Sequence, residues 1–159
     1  MPLVLGIDPG LASTGWGVIR GDRGRISCVG YGVVRTASSQ EVGERLGTIY
    51  DAIVDMVRRY APDAAGIEGL YFTKNTTSAI PVAQARGVVL LALNQLGVPA
   101  REFTPQVIKQ GVVGTGQADK EQVMQMVRIV LGMEEVPRPD HAADALAAAV
   151  TMLHSGSER

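Results

Sequence analysis

Cysteine is almost missing from this chain of 159 residues: Cys28 stands alone. A single thiol closes no internal disulfide and supplies no cysteine cluster for zinc, which points to a reducing, cytosolic setting. Long apolar runs are missing too. The longest clean one, Val88 to Leu93, falls far short of the ~20 residues that a membrane span needs. The first residues, MPLVLGID, carry no basic stretch ahead of an apolar one, so they do not read as a secretory signal. Nor is there an excess of charge of one sign. The net charge is −1 and the pI about 6.1, which taken alone speaks against a nucleic-acid binder. Disorder is excluded by the 46% hydrophobic content and near-balanced charge.

What is there fits one compact domain, 1–155, with a short tail, 156–159. A chain of this size buries roughly 70% of the surface its unfolded form exposes and needs no covalent staples. Leu3 to Ile7 is a near-continuous apolar run halted by Asp8-Pro9-Gly10, the pattern of a buried strand meeting a turn. Gly15 to Ile19 and Arg25 to Val34 extend it into a meander. Glu41 to Arg59 has helical spacing at Leu46, Ile49, Ile53, Val54 and Val57. Ala64 to Ile67 is a short strand ending on Glu68. Ser78 to Leu96 is a helix whose apolar breadth suits core, a dimer contact or both. Val98 to Phe103 is a strand, and Thr104-Pro105 opens a short helix. Amphipathic Ala118 to Leu131 and alanine-rich Asp140 to Leu153 are the last helices. The order βββαβαβααα predicts an α/β fold with a five-stranded sheet of mixed direction.

Three acids stand in apolar company. Asp8 and Glu68 each end an apolar strand, and Asp144 lies in a helix apolar on nearly all sides. A buried carboxylate needs a partner or a shifted pKa. If the two strands are parallel neighbours, Asp8 and Glu68 share one edge of the sheet. His141, three residues before Asp144, faces the same way on its helix. Carboxylates converging there would repel unless joined by a cation, and oxygen-rich donor sets favour Mg²⁺ or Mn²⁺. Two such ions suit phosphodiester cleavage. The alternative is three unrelated acids: a turn residue, an ion-pair partner and a helix-face residue.

Several segments together resemble the RuvC family of Holliday-junction resolvases. They are Gly6-Ile7-Asp8-Pro9-Gly10, Thr14-Gly15-Trp16-Gly17-Val18-Ile19, Ile67-Glu68, and Lys74-Asn75 with Ala83-Gln84-Ala85-Arg86-Gly87. Val113-Gly114-Thr115-Gly116 with Ala118-Asp119-Lys120, and Ala142-Ala143-Asp144-Ala145-Leu146-Ala147, complete the series in the family's order. The resemblance implies a ribonuclease H-like three-layer fold and a homodimeric, Mg²⁺-dependent endonuclease that nicks two opposed strands of a four-way junction. Two ions per subunit are implied, with Mn²⁺ as a substitute, and a branch-migration complex as partner. The family's catalytic, metal-binding acids fall on Asp8, Glu68 and Asp144. Its fourth position falls on His141, where many members have Asp. Asp140 reads as the helix N-cap.

The segment from Gly69 to Lys120 sets Lys74, Arg86, Arg101, Lys109 and Lys120 against Glu102 and Asp119, a local charge of +3. All three lysines lie in it, and lysine and arginine supply most non-specific nucleic-acid affinity. Lys74, Arg86, Lys109 and Lys120 are therefore candidate DNA contacts, the last two matching basic positions that the family uses near the scissile phosphate. Tyr71 and Phe72 follow Glu68. The family's base-stacking aromatic aligns with Tyr71, leaving Phe72 to the domain. Gly114-Thr115-Gly116 reads either as a phosphate-facing loop or as an ordinary turn. Two rivals remain: a ribonuclease H-like protein acting on RNA, and an actin-like phosphate-binding domain, for which one domain is too small.

Overall fold

A computed structural model describes residues 1–22, 24–69 and 76–156 of the chain. The elements follow the predicted order: β1 (Leu3–Asp8), β2 (Ser13–Asp22), β3 (Arg25–Arg35), α1 (Val42–Tyr60), β4 (Ala64–Glu68), α2 (Thr76–Gln95), β5 (Ala100–Phe103), α3 (Pro105–Val113), α4 (Lys120–Val130) and α5 (Asp140–Ser155). They form one five-stranded sheet of order β3-β2-β1-β4-β5. The three-stranded meander is antiparallel, while β1, β4 and β5 run parallel, so the sheet is mixed. Strand β2 outlasts its apolar run because β3 pairs with it down to Asp22–Arg25 at the hairpin end, while β1 flanks its other side as far as Arg20.

The two-residue period of the strands sorts their side chains between two helical layers. Leu5, Ile7, Val18, Ala65 and Ile67 point to one face and pack with Ile49 and Ile53 of α1 and with Val89 and Leu93 of α2. Val4 and Ile19 point to the other, where α5 lies, backed by Ile108 and Val112 of α3 and Val123 and Val127 of α4.

The approach of α5 to the sheet is unusually close. A methyl group at Gly6 would collide with the Ala145 carbonyl oxygen, and one at Gly15 with that of His141. Gly17 and Gly66 likewise sit beneath Leu146 and Ala148. The helix answers with alanine: Ala142, Ala143, Ala145, Ala147, Ala148 and Ala149 are all buried. Small residues on both sides let backbone meet backbone, which fixes the helix position to within the width of a methyl group.

One expectation is corrected. The N-cap of α5 is Pro139, and Asp140 is the first helical residue. Its carboxylate turns instead toward Lys120, 3.5 Å away. An acid in the first turn still favours the helix dipole.

Candidate active site

The parallel pairing of β1 and β4 aligns Gly6 with Gly66 and Ile7 with Ile67, so Asp8 and Glu68 end their strands at the same level. Alternation decides which way they face. Val4 and Gly6 point to the α5 layer, and two residues on so does Asp8. Gly66 does likewise in β4, and therefore Glu68. The first turn of α5 lies over this edge and brings His141 and Asp144 down on one side of the helix.

His141 Nδ1 lies 3.0 Å from Asp8 Oδ2. Asp8, His141 and Asp144 each offer a ligand atom, and these atoms all fall within 4.8 Å of one another. Glu68 is outside that trio and stands beside it at the end of β4, near enough for its charge and that of Asp8 to act on each other. Lys120 closes the ring, with Nζ 3.5 Å from Asp140 Oδ2 and 3.6 Å from Asp144 Oδ2.

These groups hold each other far from their ordinary ionisation. Burial, and then the charge of Asp144, raises the Asp8 carboxyl to about 7. Burial, and then the charges of Asp8 and Asp144, raises Glu68 to about 8. Asp144 is raised as well by burial, although Lys120 pulls against it. Lys120 loses ground to burial but is held above its usual value by Asp144 and Asp140. Burial and the neighbouring negative charges favour the protonated forms of Asp8 and Glu68, the state expected where negative charge is concentrated without a cation.

The donor set fits a divalent cation. Carboxylate oxygens suit Mg²⁺ and Mn²⁺, and the imidazole nitrogen suits the transition metal better. A cation there would favour the ionised carboxylates and relieve the repulsion.

Beside this cluster lies a cleft of about 210 Å³. Glu68 and Asp144 form its acidic side, Lys109 and Lys120 its basic side, and Ile108, Val123 and Ala147 its apolar wall. Lys109 rides on α3, which starts at a Thr104 cap accepting from the Val107 N–H and ends at Gly114, with φ of 95°. Lys120 is the first residue of α4. That helix begins with a reciprocal cap: Asp119 Oδ1 accepts from the Gln122 N–H, and Gln122 Oε1 accepts from the Asp119 N–H, each at 2.8 Å. A lysine in the first turn opposes the helix dipole. Its two carboxylate neighbours offset that local cost, a conflict typical of functional positions.

The chain matches the family model described as crossover junction endodeoxyribonuclease RuvC over residues 4–152. The chain belongs to the RuvC family. A RuvC of Treponema denticola is 52% identical over 155 residues, covering 98% of this chain and 87% of that one. The structure of Thermus thermophilus RuvC in complex with a Holliday junction substrate superimposes with a TM-score of 0.93 at 36% identity, covering 98% of this chain and 95% of that one. The fowlpox virus resolvase has the same fold, with a TM-score of 0.62 at 11% identity, covering 96% of this chain and 99% of the other. The fold is thus the ribonuclease H-like one of the RuvC resolvases, as the sequence motifs imply.

Among the expected RuvC-type site residues, the structure gathers Asp8, Glu68, His141, Asp144 and Lys120 and sets Lys109 on the wall of the adjoining cleft. Tyr71, Phe72 and Lys74 lie outside the described residues. Arg86, expected at the DNA, is engaged by Glu102: its Nη2 donates to Glu102 Oε2 at 2.7 Å and its Nε lies 2.6 Å from Oε1. Gly114-Thr115-Gly116 is a turn, with Gly114 capping α3 and the Thr115 hydroxyl accepting from the Gln117 N–H. Composition and spacing passed over the glycines beneath α5. Their signal is present all the same, as Gly at alternate strand positions (Gly15, Gly17) and an alanine-rich helix elsewhere.

Proposed function

We propose that this chain is a structure-selective endodeoxyribonuclease that resolves four-way DNA junctions by paired symmetric nicks, in homologous recombination and DNA repair. The observation that carries the proposal is the cluster at the β1–β4 edge. Asp8, His141 and Asp144 bring ligand atoms within 4.8 Å of one another, with Glu68 beside them at the strand end and Lys120 at the margin. Membership of the RuvC family and the likeness to a junction-bound relative support it.

Asp8, Glu68, Asp144 and His141 would hold the metal, Mg²⁺ with two ions per subunit, and Mn²⁺ would substitute. Bound there, divalent cations supply Lewis acidity toward the scissile phosphate and the attacking water. Water oxygen bonds to phosphorus, the 3′-oxygen leaves with a proton, and the product keeps a 5′-phosphate. Lys120 orients Asp144 and brings positive charge to the phosphate entering the cleft, with Lys109 beside it. Tyr71 would stack on an unpaired base at the junction centre, and Lys74 would meet a neighbouring phosphate.

A single nuclease domain, 1–155, acts as half of a homodimer, because two symmetric cuts on a two-fold junction require two sites related by the same symmetry. The outward side of α2 exposes Ile80 and Leu91, at 60% and 51%, an apolar surface suited to a second copy. No helix among the described residues is long and apolar enough to cross a membrane. We place the protein in the cytoplasm, alongside the branch-migration complex that would deliver its substrate.

The deciding experiment is cleavage of a synthetic four-way junction, a linear duplex and an RNA hairpin, each in Mg²⁺ and in Mn²⁺. Paired nicks confined to the junction are expected, with Mn²⁺ at least as effective as Mg²⁺ because His141 is a nitrogen donor. Preferential cutting of the RNA hairpin would overturn the assignment.

A further inference from the structure

Arg86 and Glu102 are sixteen residues apart and belong to different layers, one on α2 and the other on β5. The Arg86 Nη2 hydrogen bond is 2.7 Å long, Nε lies 2.6 Å from Oε1 without hydrogen-bonding to it, and each side chain is only about a third exposed, at 33% and 30%. A guanidinium held by one charge-assisted hydrogen bond and a close ion pair is clamped to its carboxylate. With its charge matched by a carboxylate at contact distance, it has little left for a phosphate, which Glu102 would repel.

The position of Glu102 gives the clamp its significance. Strand β5 is four residues long, sits at the edge of the sheet and pairs with β4 alone. Its register sets Glu102 opposite Ile67 and Phe103 opposite Glu68. The Gly69 N–H donates to the Phe103 carbonyl at 2.8 Å, and a methyl group on Gly69 would lie 3.8 Å from Glu102 Cβ. Glu102 and Phe103 are thus the rail along which Glu68 is laid. A strand so short and so placed holds its own position poorly. Helix α2 is firmly seated through Ala85, Val89, Ala92 and Leu93, all fully buried. Arg86, the residue next to Ala85, reaches from that anchored helix to the rail.

We infer that Arg86 is a positioning residue for Glu68, acting through Glu102, and not a contact to DNA. This rests on the metal-dependent nuclease reading given above. It identifies a support outside the cluster itself, of the kind that orients a ligand without touching the metal.

The test compares Arg86→Ala, Glu102→Ala and the reversed pair Arg86→Glu/Glu102→Arg with wild type, using Lys109→Ala as the phosphate-contact reference. Mn²⁺ binding to the DNA-free protein is read by calorimetry, and junction binding in EDTA is read across a salt series. Both single variants should weaken Mn²⁺ binding alike, by about 10-fold, the lower end of what loss of a ligand's support costs. The reversed pair should recover most of it. The salt dependence of junction binding should stay at the wild-type slope, whereas Lys109→Ala should lower it by about one.

The opposite pattern overturns the proposal: Arg86→Ala lowers the slope by about one while Glu102→Ala leaves Mn²⁺ affinity intact. So does a fall in Tm in both single variants with no change in Mn²⁺ affinity, which would make the pair a stabilising contact only. Arg86→Lys guards against a variant that fails to fold. It keeps the charge and loses the Nη2 hydrogen bond to Glu102, so it should keep the slope and still weaken Mn²⁺ binding. Failure of the wild type to cut junctions would overturn the functional reading instead, and the Mn²⁺ isotherms separate the two failures.

Discussion

On the α1–α2 side of the sheet, Leu5, Ile7, Ile49, Ile53, Ile67 and Leu93 fill the space between the layers, all fully buried. On the α5 side, Gly6, Gly15, Gly17 and Gly66 meet a helix whose buried face is mostly alanine. The first side stabilises by volume and apolar area. The second buries less per residue and obtains close approach instead, with the helix backbone almost on the strands. His141 and Asp144 ride on that helix, and Asp8 and Glu68 come from strands beneath it. Ligand geometry must hold to fractions of an ångström, and the thin, rigid interface is the one that can supply it. Bulk on one face and proximity on the other divide stability from precision.

The largest effect is expected at the site itself. Asp8→Asn removes a proposed metal ligand, so cleavage of a four-way junction in Mg²⁺ should be abolished while binding in EDTA is kept; residual cutting near the wild-type rate would remove Asp8 from the proposed metal site. Next comes Gly15→Ala. Its methyl group meets the His141 carbonyl, a backbone atom that cannot swing aside, and the expected cost is about 3 kcal/mol, the upper end for overpacking. Because the helix must lift, cleavage per folded molecule should fall as well, read at a temperature where the variant remains folded.

A smaller effect follows from the raised carboxyl groups. Folded Asp8 and Glu68 hold protons that the unfolded chain, with carboxyl values of 3.8 and 4.5, has released, so in the absence of metal stability should decline as pH rises from about 4.5 to about 8. Thermal melts in EDTA should show Tm several degrees lower at pH 8 than at pH 5, and Mn²⁺ should erase the difference. Asp8→Asn should flatten the profile; an unchanged slope would place the proton elsewhere. On the far face, Ile53→Val should cost about 1 kcal/mol, or roughly 2–4 °C in Tm, with cleavage per folded molecule unchanged. Asp119→Ala should cost a similar ~1 kcal/mol through loss of the reciprocal cap, and a modest rate loss should accompany it as Lys120 shifts. If Ile53→Val slows cleavage as much as Gly15→Ala, the division between the faces fails.

Much of this was readable along the chain. Asp8 and Glu68 announce themselves because an acid at the end of an apolar strand is locally anomalous, and His141 and Asp144 share a helix face by spacing. Asp140 misled because an acid at a helix start looks the same one position earlier or later, and only the backbone shows that Pro139 takes the cap. Arg86 shows a different limit of the linear reading. A tally of charge along the chain credits it to the basic segment, yet the carboxylate that engages it is brought across by the sheet.

Element order and the acids that needed a partner are legible in the chain. These depend on periodicity and on the cost of burying charge, which act over a few residues. That β1 and β4 are parallel neighbours in register, how near α5 lies, and which carboxylate meets Arg86 emerge only in three dimensions. Those depend on which distant surfaces meet. A glycine beneath an alanine helix acquires its meaning only when the two are brought together.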